Sequence, residues 1–225
     1  IIDIRAEESH SGSHADHAIE WKSSGGGSLL RLGAHPVGGA IHLKYLEGMD
    51  KYNKPIKPKS VTAEVSHNSK ITEVQIEQQR YLKSDWVDVE DWGIIVINFT
   101  DNSKAVIISS DGVLGGIRNE MSAYTTNSVI NIDMSQNNTV TAFAPTGNIF
   151  GSEYITEKIE TKAGWTHPSP DEDWMRGYPQ EMENFMDCII EEKDPESGWY
   201  LAEETVKTVY AAYLSAEKGK RINIR

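Results

Sequence analysis

The chain has 225 residues and carries 34 Asp and Glu against 22 Lys and Arg, a formal net charge of -12 at pH 7. This acidic balance argues against nucleic acid or an anionic membrane as a partner, because both are bound by basic patches. The length is enough to bury a full hydrophobic core and by itself fits one large domain or two small ones; we expect one domain over residues 1–225.

The first 48 residues predict a strand, a polar loop and a long helix. Residues 1–8 alternate apolar and polar side chains, which is typical of a half-buried strand. Residues 9–24 are rich in Ser, Gly and His and predict an irregular loop. The glycines at 25–27 suit a backbone that approaches a ligand closely. Apolar residues at i+3/i+4 spacing then predict a helix over about residues 26–46, ending at Gly48.

The middle of the chain predicts β-structure, because short segments, several of them rich in β-branched or aromatic residues, alternate there with turn formers. The predicted strands are Val61–Val65, Ile71–Gln78, Gly93–Thr100, Lys104–Ser109, Arg118–Thr125, Val129–Met134, Thr139–Ala144 and Tyr154–Glu160. Asp101 and Asn102 lie between two of these strands and predict a hairpin turn. We therefore expect a mostly antiparallel sheet.

The last 50 residues predict two amphipathic helices and a final strand. The first helix begins behind Pro179 and ends near Asp194, after a loop over residues 164–177. The second carries apolar residues over 201–216, and residues 221–224 predict a strand. The order of elements predicts an α+β fold, with an open-faced, mostly antiparallel sheet and helices packed on one face.

The first loop holds candidate binding groups. His10, Ser11, His14 and His17 offer hydrogen bonds to the hydroxyl groups of a ligand. Histidines this close together also occur in transition-metal sites, but the loop has no thiol and no structural-zinc spacing. We assign no metal there. A metal-assisted enzyme and a plain solvated loop are the alternatives.

Arg31 and His35 are the leading candidates for chemistry. Residues four apart on a continuous helix share a face, so both side chains would project together. An imidazole exchanges protons near pH 7 and therefore suits general acid/base catalysis. The alternative is that His35 is a core residue whose ring nitrogens are hydrogen-bonded within the protein. Arg31 would hold an anionic or carbonyl oxygen of a ligand, or pair with a carboxylate such as Glu8.

Aromatic side chains and the absence of certain motifs limit the classes of function that the sequence supports. Trp165 and Tyr178 would wall a sugar-sized pocket by stacking, although aromatics there are as often core. The sequence contains no G-x-G-x-x-G after a strand, no G-x-x-x-x-G-K-[ST] and no G-x-S-x-G. It therefore has no recognisable nucleotide loop or serine-hydrolase elbow. A single cysteine, Cys188, excludes an internal disulfide and suits a cytoplasmic protein.

The segment G-G-G-S-L-L-R-L-G-A-H at residues 25–35 resembles the glucose-fructose oxidoreductase/inositol dehydrogenase family. The second domain of that family carries G-G-G-x-x-x-D-x-G-x-H at the start of a long helix. The segments G-Y-P-Q-E-M at 177–182 and Y-A-A-Y-L-S-A-E-K-G at 210–219 are similar to the family's closing helix pair. The resemblance covers essentially the whole chain.

In that family an N-terminal Rossmann domain binds NAD or NADP, and a C-terminal domain binds a sugar, polyol or keto-sugar. The C-terminal domain often builds a homo-oligomer through its exposed sheet. The resemblance implies that this chain is that second domain alone, the substrate-binding part of an oxidoreductase that transfers a hydride. The nucleotide fingerprint and the E-K-P segment with the catalytic lysine are not among residues 1–225. The isolated chain is expected to be inactive without the Rossmann domain.

His35 matches the family histidine that acts with the lysine on the substrate hydroxyl. Arg31 departs from the family pattern, in which many members carry an Asp paired with that histidine, and Gly38 stands where a further Asp often falls. A cation at position 31 is expected to lower the proton affinity of His35. Either Arg31 grips an anionic or oxo group of the substrate, or the chain is a non-catalytic carbohydrate-binding or assembly domain.

Overall fold

The computed structural model describes residues 1–135 and 140–224. The strands are β1 (Asp3–Ser9), β2 (Pro58–Ser66), β3 (Trp92–Phe99), β4 (Lys104–Ser110), β5 (Arg118–Tyr124), β6 (Val129–Asp133), β7 (Ala142–Ala144), β8 (Gly164–Thr166) and β9 (Ile222–Asn223). The α-helices are α1 (Trp21–Ser24), α2 (Ser28–Arg31), α3 (Ala34–Tyr52), α4 (Thr72–Ile76), α5 (Glu172–Met175), α6 (Tyr178–Glu191) and α7 (Trp199–Lys218). Short 3₁₀ turns lie at Asp16–Ile19, Asn68–Lys70 and Gly147–Ile149.

Seven strands form one open sheet in the order β6-β5-β1-β4-β3-β2-β9, and β7 pairs with β8 in a separate ribbon. Only the β1–β4 pair is parallel among the described ladders; the other pairs are antiparallel. Helices α3 and α7 pack on one face of the sheet, where they share its buried core. The predicted α+β class, with an open and mostly antiparallel sheet, is confirmed. Among the described residues, none of the helices combines the length and the hydrophobicity that a membrane-spanning segment needs.

The alternation of side chains along the central strands decides which face is covered. Ile95, Ile97 and Ile107 are fully buried in the core shared with α3 and α7. Ile94 and Val96 point to the opposite face and are only half-buried. The sheet is therefore shielded from solvent on its helical face and accessible on the other.

The helix predicted over residues 26–46 is broken and ends later than expected. Helix α2 stops at Arg31, and α3 begins at Ala34 and runs to Tyr52. Gly48 lies inside α3, where an added Cβ would lie 2.4 Å from the Ile56 backbone nitrogen. That glycine marks a close backbone approach, and the helix ends instead at Asn53, which adopts a left-handed conformation.

Two predicted strands are wrong. Residues 71–78 contain α4, which follows a turn whose first backbone N–H groups donate to the Asp91 carboxylate. Residues 154–160 are irregular, because the Glu157 N–H and the Tyr154 hydroxyl donate to the Glu172 carboxylate instead of to a neighbouring strand.

Other predicted bounds shift by a few residues. The loop predicted over 164–177 contains β8 and α5, and the first loop contains α1. The strand predicted at 139–144 is β7, and its first predicted residue, Thr139, lies outside the described residues.

A buried cation ties α3 to the β3–β4 turn. The Lys44 side chain is fully buried, and its Nζ donates to Glu47 Oε2 at 2.5 Å and to Asp101 Oδ2 at 2.8 Å. Asp101 belongs to the predicted hairpin turn, which is confirmed. The ammonium therefore joins two elements that are 57 residues apart in sequence.

Replacing Lys44 by Ala is expected to lower the free energy of unfolding by about 3 kcal/mol, because two carboxylates lose their buried partner. Urea denaturation followed by circular dichroism measures the change. The matched control is Lys51→Ala, since Lys51 pairs with the same Glu47 from an exposed position. Equal midpoints for the two variants would contradict the role assigned to Lys44.

Candidate functional site

The side chains of His35 and Glu8 form an ion pair at the edge of the helical layer. Glu8 follows Ile4 and Ala6 at period two on β1, so all three share the face that packs against α3. The buried Glu8 carboxylate lies 2.8 and 2.9 Å from His35 Nδ1, and it accepts a further bond from Asn119 Nδ2 at 3.4 Å. An ionised carboxylate only accepts hydrogen bonds, so Nδ1 carries the hydrogen.

The exposed part of the His35 ring is free to meet a ligand. The His35 side chain is 67% exposed, whereas that of Glu8 is 9% exposed. Because Nδ1 donates its hydrogen to Glu8, Nε2 is the ring nitrogen available for proton exchange. The hydrogen bond to Glu8 raises the pKa of His35 above 6.5, and its charge acts in the same direction, against the effect of burial. The predicted lowering of its proton affinity by Arg31 is therefore wrong.

Arg31 is engaged with a different carboxylate. Its guanidinium binds Asp111 through Nη2–Oδ2 at 2.5 Å and Nη1–Oδ1 at 3.4 Å, and it lies 4.8 Å from the centre of the Trp86 ring. Asp111 is almost fully buried. Burial raises the pKa of Asp111 to about 6, although Arg31 opposes that shift. Arg31 thus pairs with Asp111, and its expected partner Glu8 is taken by His35.

The glycine segment before α2 approaches a protein carboxylate. The N–H groups of Gly27 and Leu29 donate to the Glu90 carboxylate at 3.1 and 2.9 Å, and the Ser28 N–H donates to the Glu90 carbonyl. A Cβ on Gly27 would lie 1.9 Å from that carbonyl oxygen. We expected these glycines to approach a ligand, but Gly27 approaches Glu90, and a Cβ on Gly25 or Gly26 would lie 3.0 or 2.4 Å from the hydroxyl oxygen of Tyr210 or Tyr213.

His10 is buried and neutral. Its Nδ1 accepts the Gly12 N–H at 2.9 Å and lies 3.8 Å from Asp111 Oδ1. Burial lowers the pKa of His10 to about 3, and the charge of Lys158, which donates to the Gly12 carbonyl, acts in the same direction. His10 therefore belongs with Arg31 and Asp111 in one buried polar cluster.

The remaining predicted site residues differ in their exposure to solvent. Ser11 is buried beside His10, whereas His14 and His17 are exposed. Trp165 is 71% exposed and packs on Phe143 in the β7–β8 ribbon. Tyr178 is exposed at the start of α6.

Within the described residues, no hydrogen bond, ion pair or ring contact joins Trp165 or Tyr178 to His35. No group of three His, Cys, Asp or Glu side chains in that part of the chain is placed to hold a metal ion.

Three carboxylates are central to this arrangement, and sequence reasoning missed two of them. Glu90 and Asp111 come from loops that follow no motif, and Glu8 was named only as a partner for Arg31. One signal was available: Glu8 is a charged residue at a position where the β1 alternation requires a buried side chain. Such a residue needs a partner, which in the fold is His35.

Comparisons with known proteins agree on the fold. No protein-family model and no curated protein matches the chain. GenD2 from gentamicin A biosynthesis, solved in complex with NAD, matches 99% of this chain and 55% of its own, with a TM-score of 0.73 and 24% identity.

Two further structures match along almost the whole chain. A probable dehydrogenase from Thermotoga maritima matches 98% of this chain and 55% of its own, with a TM-score of 0.66 and 16% identity. A myo-inositol 2-dehydrogenase from Lactobacillus plantarum matches 100% of this chain and 57% of its own, with a TM-score of 0.62 and 18% identity. The chain thus spans little more than half the length of these structures. It has the fold of that half of each of these structures.

Proposed function

We propose that this chain is the substrate-binding domain of an NAD(P)-dependent oxidoreductase that acts on a sugar, polyol or keto-sugar. One observation carries the proposal: an exposed imidazole, His35, is held at Nδ1 by the buried carboxylate of Glu8. The shared fold supports it, because the solved neighbours include a myo-inositol 2-dehydrogenase and a protein in complex with NAD. The single cysteine supports a cytoplasmic location.

In this proposal the hydride chemistry would come from a nicotinamide cofactor, and a Rossmann domain outside residues 1–225 would bind most of that cofactor. The glycines at 25–27 do not fit its pyrophosphate, because the Gly27 and Leu29 N–H groups already donate to Glu90. The contribution of this chain to the reaction is the transfer of the hydroxyl proton. His35 Nε2, acting with a lysine outside residues 1–225, takes a proton from the substrate hydroxyl during oxidation and returns it during reduction. Glu8 orients the ring and stabilises the imidazolium that forms.

We assign substrate contacts to the predicted rim and wall. His14, His17, Trp165 and Tyr178 are exposed and offer hydrogen-bonding and stacking groups, whereas His10 and Ser11 are buried and Arg31 is half-buried. Asp111 balances the charge of Arg31. We therefore favour a neutral sugar or polyol over an anionic substrate, since the Arg31 guanidinium is already paired with a carboxylate.

The alternative function is a non-catalytic carbohydrate-binding or assembly domain. Its basis is the missing dinucleotide loop together with Arg31 in place of the acid that pairs with the family histidine. In this fold Glu8 supplies the carboxylate to His35 from β1, and Asp111 takes Arg31. We therefore favour the oxidoreductase.

We also propose that the chain forms a homo-oligomer through the open face of its sheet. Ile94 and Val96 of β3 lie opposite Ile108 and Val106 of β4, and these four side chains form a half-buried apolar strip. Charged residues border the strip, with Arg5 across from Val106. An apolar centre with a polar rim is the composition of an oligomer interface.

His35→Ala is expected to lower NAD(P)H turnover on keto-sugars by at least about 100-fold, because the proton transfer loses its acid and base. The assay uses residues 1–225 joined behind their cofactor-binding domain. His67→Ala, at an exposed histidine outside the candidate site, is the control and should leave turnover unchanged. Unchanged activity in His35→Ala would remove His35 from catalysis.

Glu8→Gln is expected to move the pKa of His35 from above 6.5 to below it, because the ion pair is lost while the burial remains. Nuclear magnetic resonance titration of the His35 ring protons measures the shift in the chain itself. Glu7→Gln is the matched control, since Glu7 neighbours Glu8 on the opposite face of β1 and pairs with Arg118. A pKa of His35 that is equal in wild type and Glu8→Gln would show that Glu8 does not set its proton affinity.

Val96→Glu is expected to convert the oligomer to monomer, because it places a charge in the middle of the apolar strip. Sedimentation velocity measures the assembly state, and circular dichroism checks that the variant is folded. Leu46→Glu introduces the same charge at an exposed site on α3 and should not change assembly. If folded Val96→Glu sediments like the wild type, the open face is not the interface.

A further inference from the structure

Helix α6 carries an apolar stripe that the described residues leave uncovered. Its members recur at i, i+4, i+7, i+8 and i+11, so they lie on one face of the helix. They are Tyr178, Met182, Phe185, Met186 and Ile189, each between 51% and 59% exposed. Soluble proteins rarely expose a contiguous apolar surface of this kind unless it meets another surface. The stripe therefore requires a partner.

The other side of α6 is held only lightly by the rest of the chain. Cys188 is its one buried residue, and Asn184 accepts the Glu196 N–H at 3.3 Å. A cavity of about 320 Å³ lies between α6 and α3, with Gln180 and Asn184 on one side and Gly38 on the other. Helix α6 thus lies over the helical layer of the sheet, and Gly38 is one turn after His35.

Charge argues against a second copy of α6 as the partner. Two exposed acidic residues border the stripe, Glu181 on one side and Glu183 on the other. Two copies paired through this face would place acid against acid, which is unfavourable. The rim instead complements a surface that carries Lys and Arg around an apolar patch.

We propose that the α6 stripe is the docking surface for the NAD(P)-binding domain, which presents an apolar patch bordered by Lys and Arg. This inference rests on the proposed function and assigns the surface that it requires. The solved neighbours share about 55% of their length with this chain, which leaves about 45% for a further unit. Because α6 borders α3 at Gly38, a domain seated on α6 lies next to the helix that carries His35.

Hydrogen–deuterium exchange of residues 178–191 tests the proposal. The exchange is compared between the chain alone and a polypeptide in which residues 1–225 follow the NAD(P)-binding domain, both at concentrations where they are monomeric. We expect the α6 amides to exchange at least tenfold more slowly in the longer polypeptide. Equal exchange in the two proteins would overturn the proposal. Protection that instead rises with the concentration of the chain alone would identify a second copy as the partner and would also overturn it.

Two variants separate docking from folding. Phe185→Glu is expected to abolish the protection of α6 in the longer polypeptide and to leave the thermal midpoint of the chain alone unchanged, because Phe185 is exposed there. Ile76→Glu, at a 71% exposed site on α4, should keep the protection. Loss of protection in both variants would contradict a specific surface on α6. Protection of α6 without NAD(P)H turnover would refute the proposed function and support the docking surface. Turnover without protection of α6 would refute the docking surface and support the proposed function.

Discussion

The Glu90 carboxylate organises the region around the site. It is buried, and it accepts the N–H groups of Gly27 and Leu29 and the Tyr213 hydroxyl of α7, which lies 2.8 Å away. Burial raises the pKa of Glu90, and these three donors oppose that shift. A side chain on Gly27 would occupy the place of the Glu90 carbonyl oxygen. The glycine is therefore required by contact with a residue 63 positions later in the chain.

This anchor fixes the start of α2, and the break that follows at Leu32 and Gly33 sends Arg31 and His35 to different partners. On one continuous helix the guanidinium and the imidazole would have been neighbours, and the cation would have lowered the proton affinity of the histidine. In the fold Arg31 is balanced by Asp111 and His35 by Glu8. Each cation has its own carboxylate, and the imidazole remains basic.

Two histidines near the end of β1 show how the balance between burial and hydrogen bonding decides their charge. At His35 the carboxylate of Glu8 outweighs burial and raises the pKa, so the pair stabilises the fold below about pH 6.5 and this contribution fades as the pH rises through the folded-state pKa. At His10 burial dominates and lowers the pKa to about 3, so stability is lost as the pH falls below 6.5 towards 3. The two histidines therefore oppose each other under acidic conditions.

The sequence alone determined the elements whose hydrophobic pattern is local. The alternation in β3 and β4, the hairpin turn at Asp101 and the apolar spacing of α7 each predict a structure that the fold contains, because a strand or helix selects its own buried face. Tertiary contacts decided the break after Arg31, the pairing of Glu8 with His35 and the irregular path of residues 154–160. The last two depend on a carboxylate that is distant in sequence, and a buried charge takes whichever donor the packed chain brings within reach.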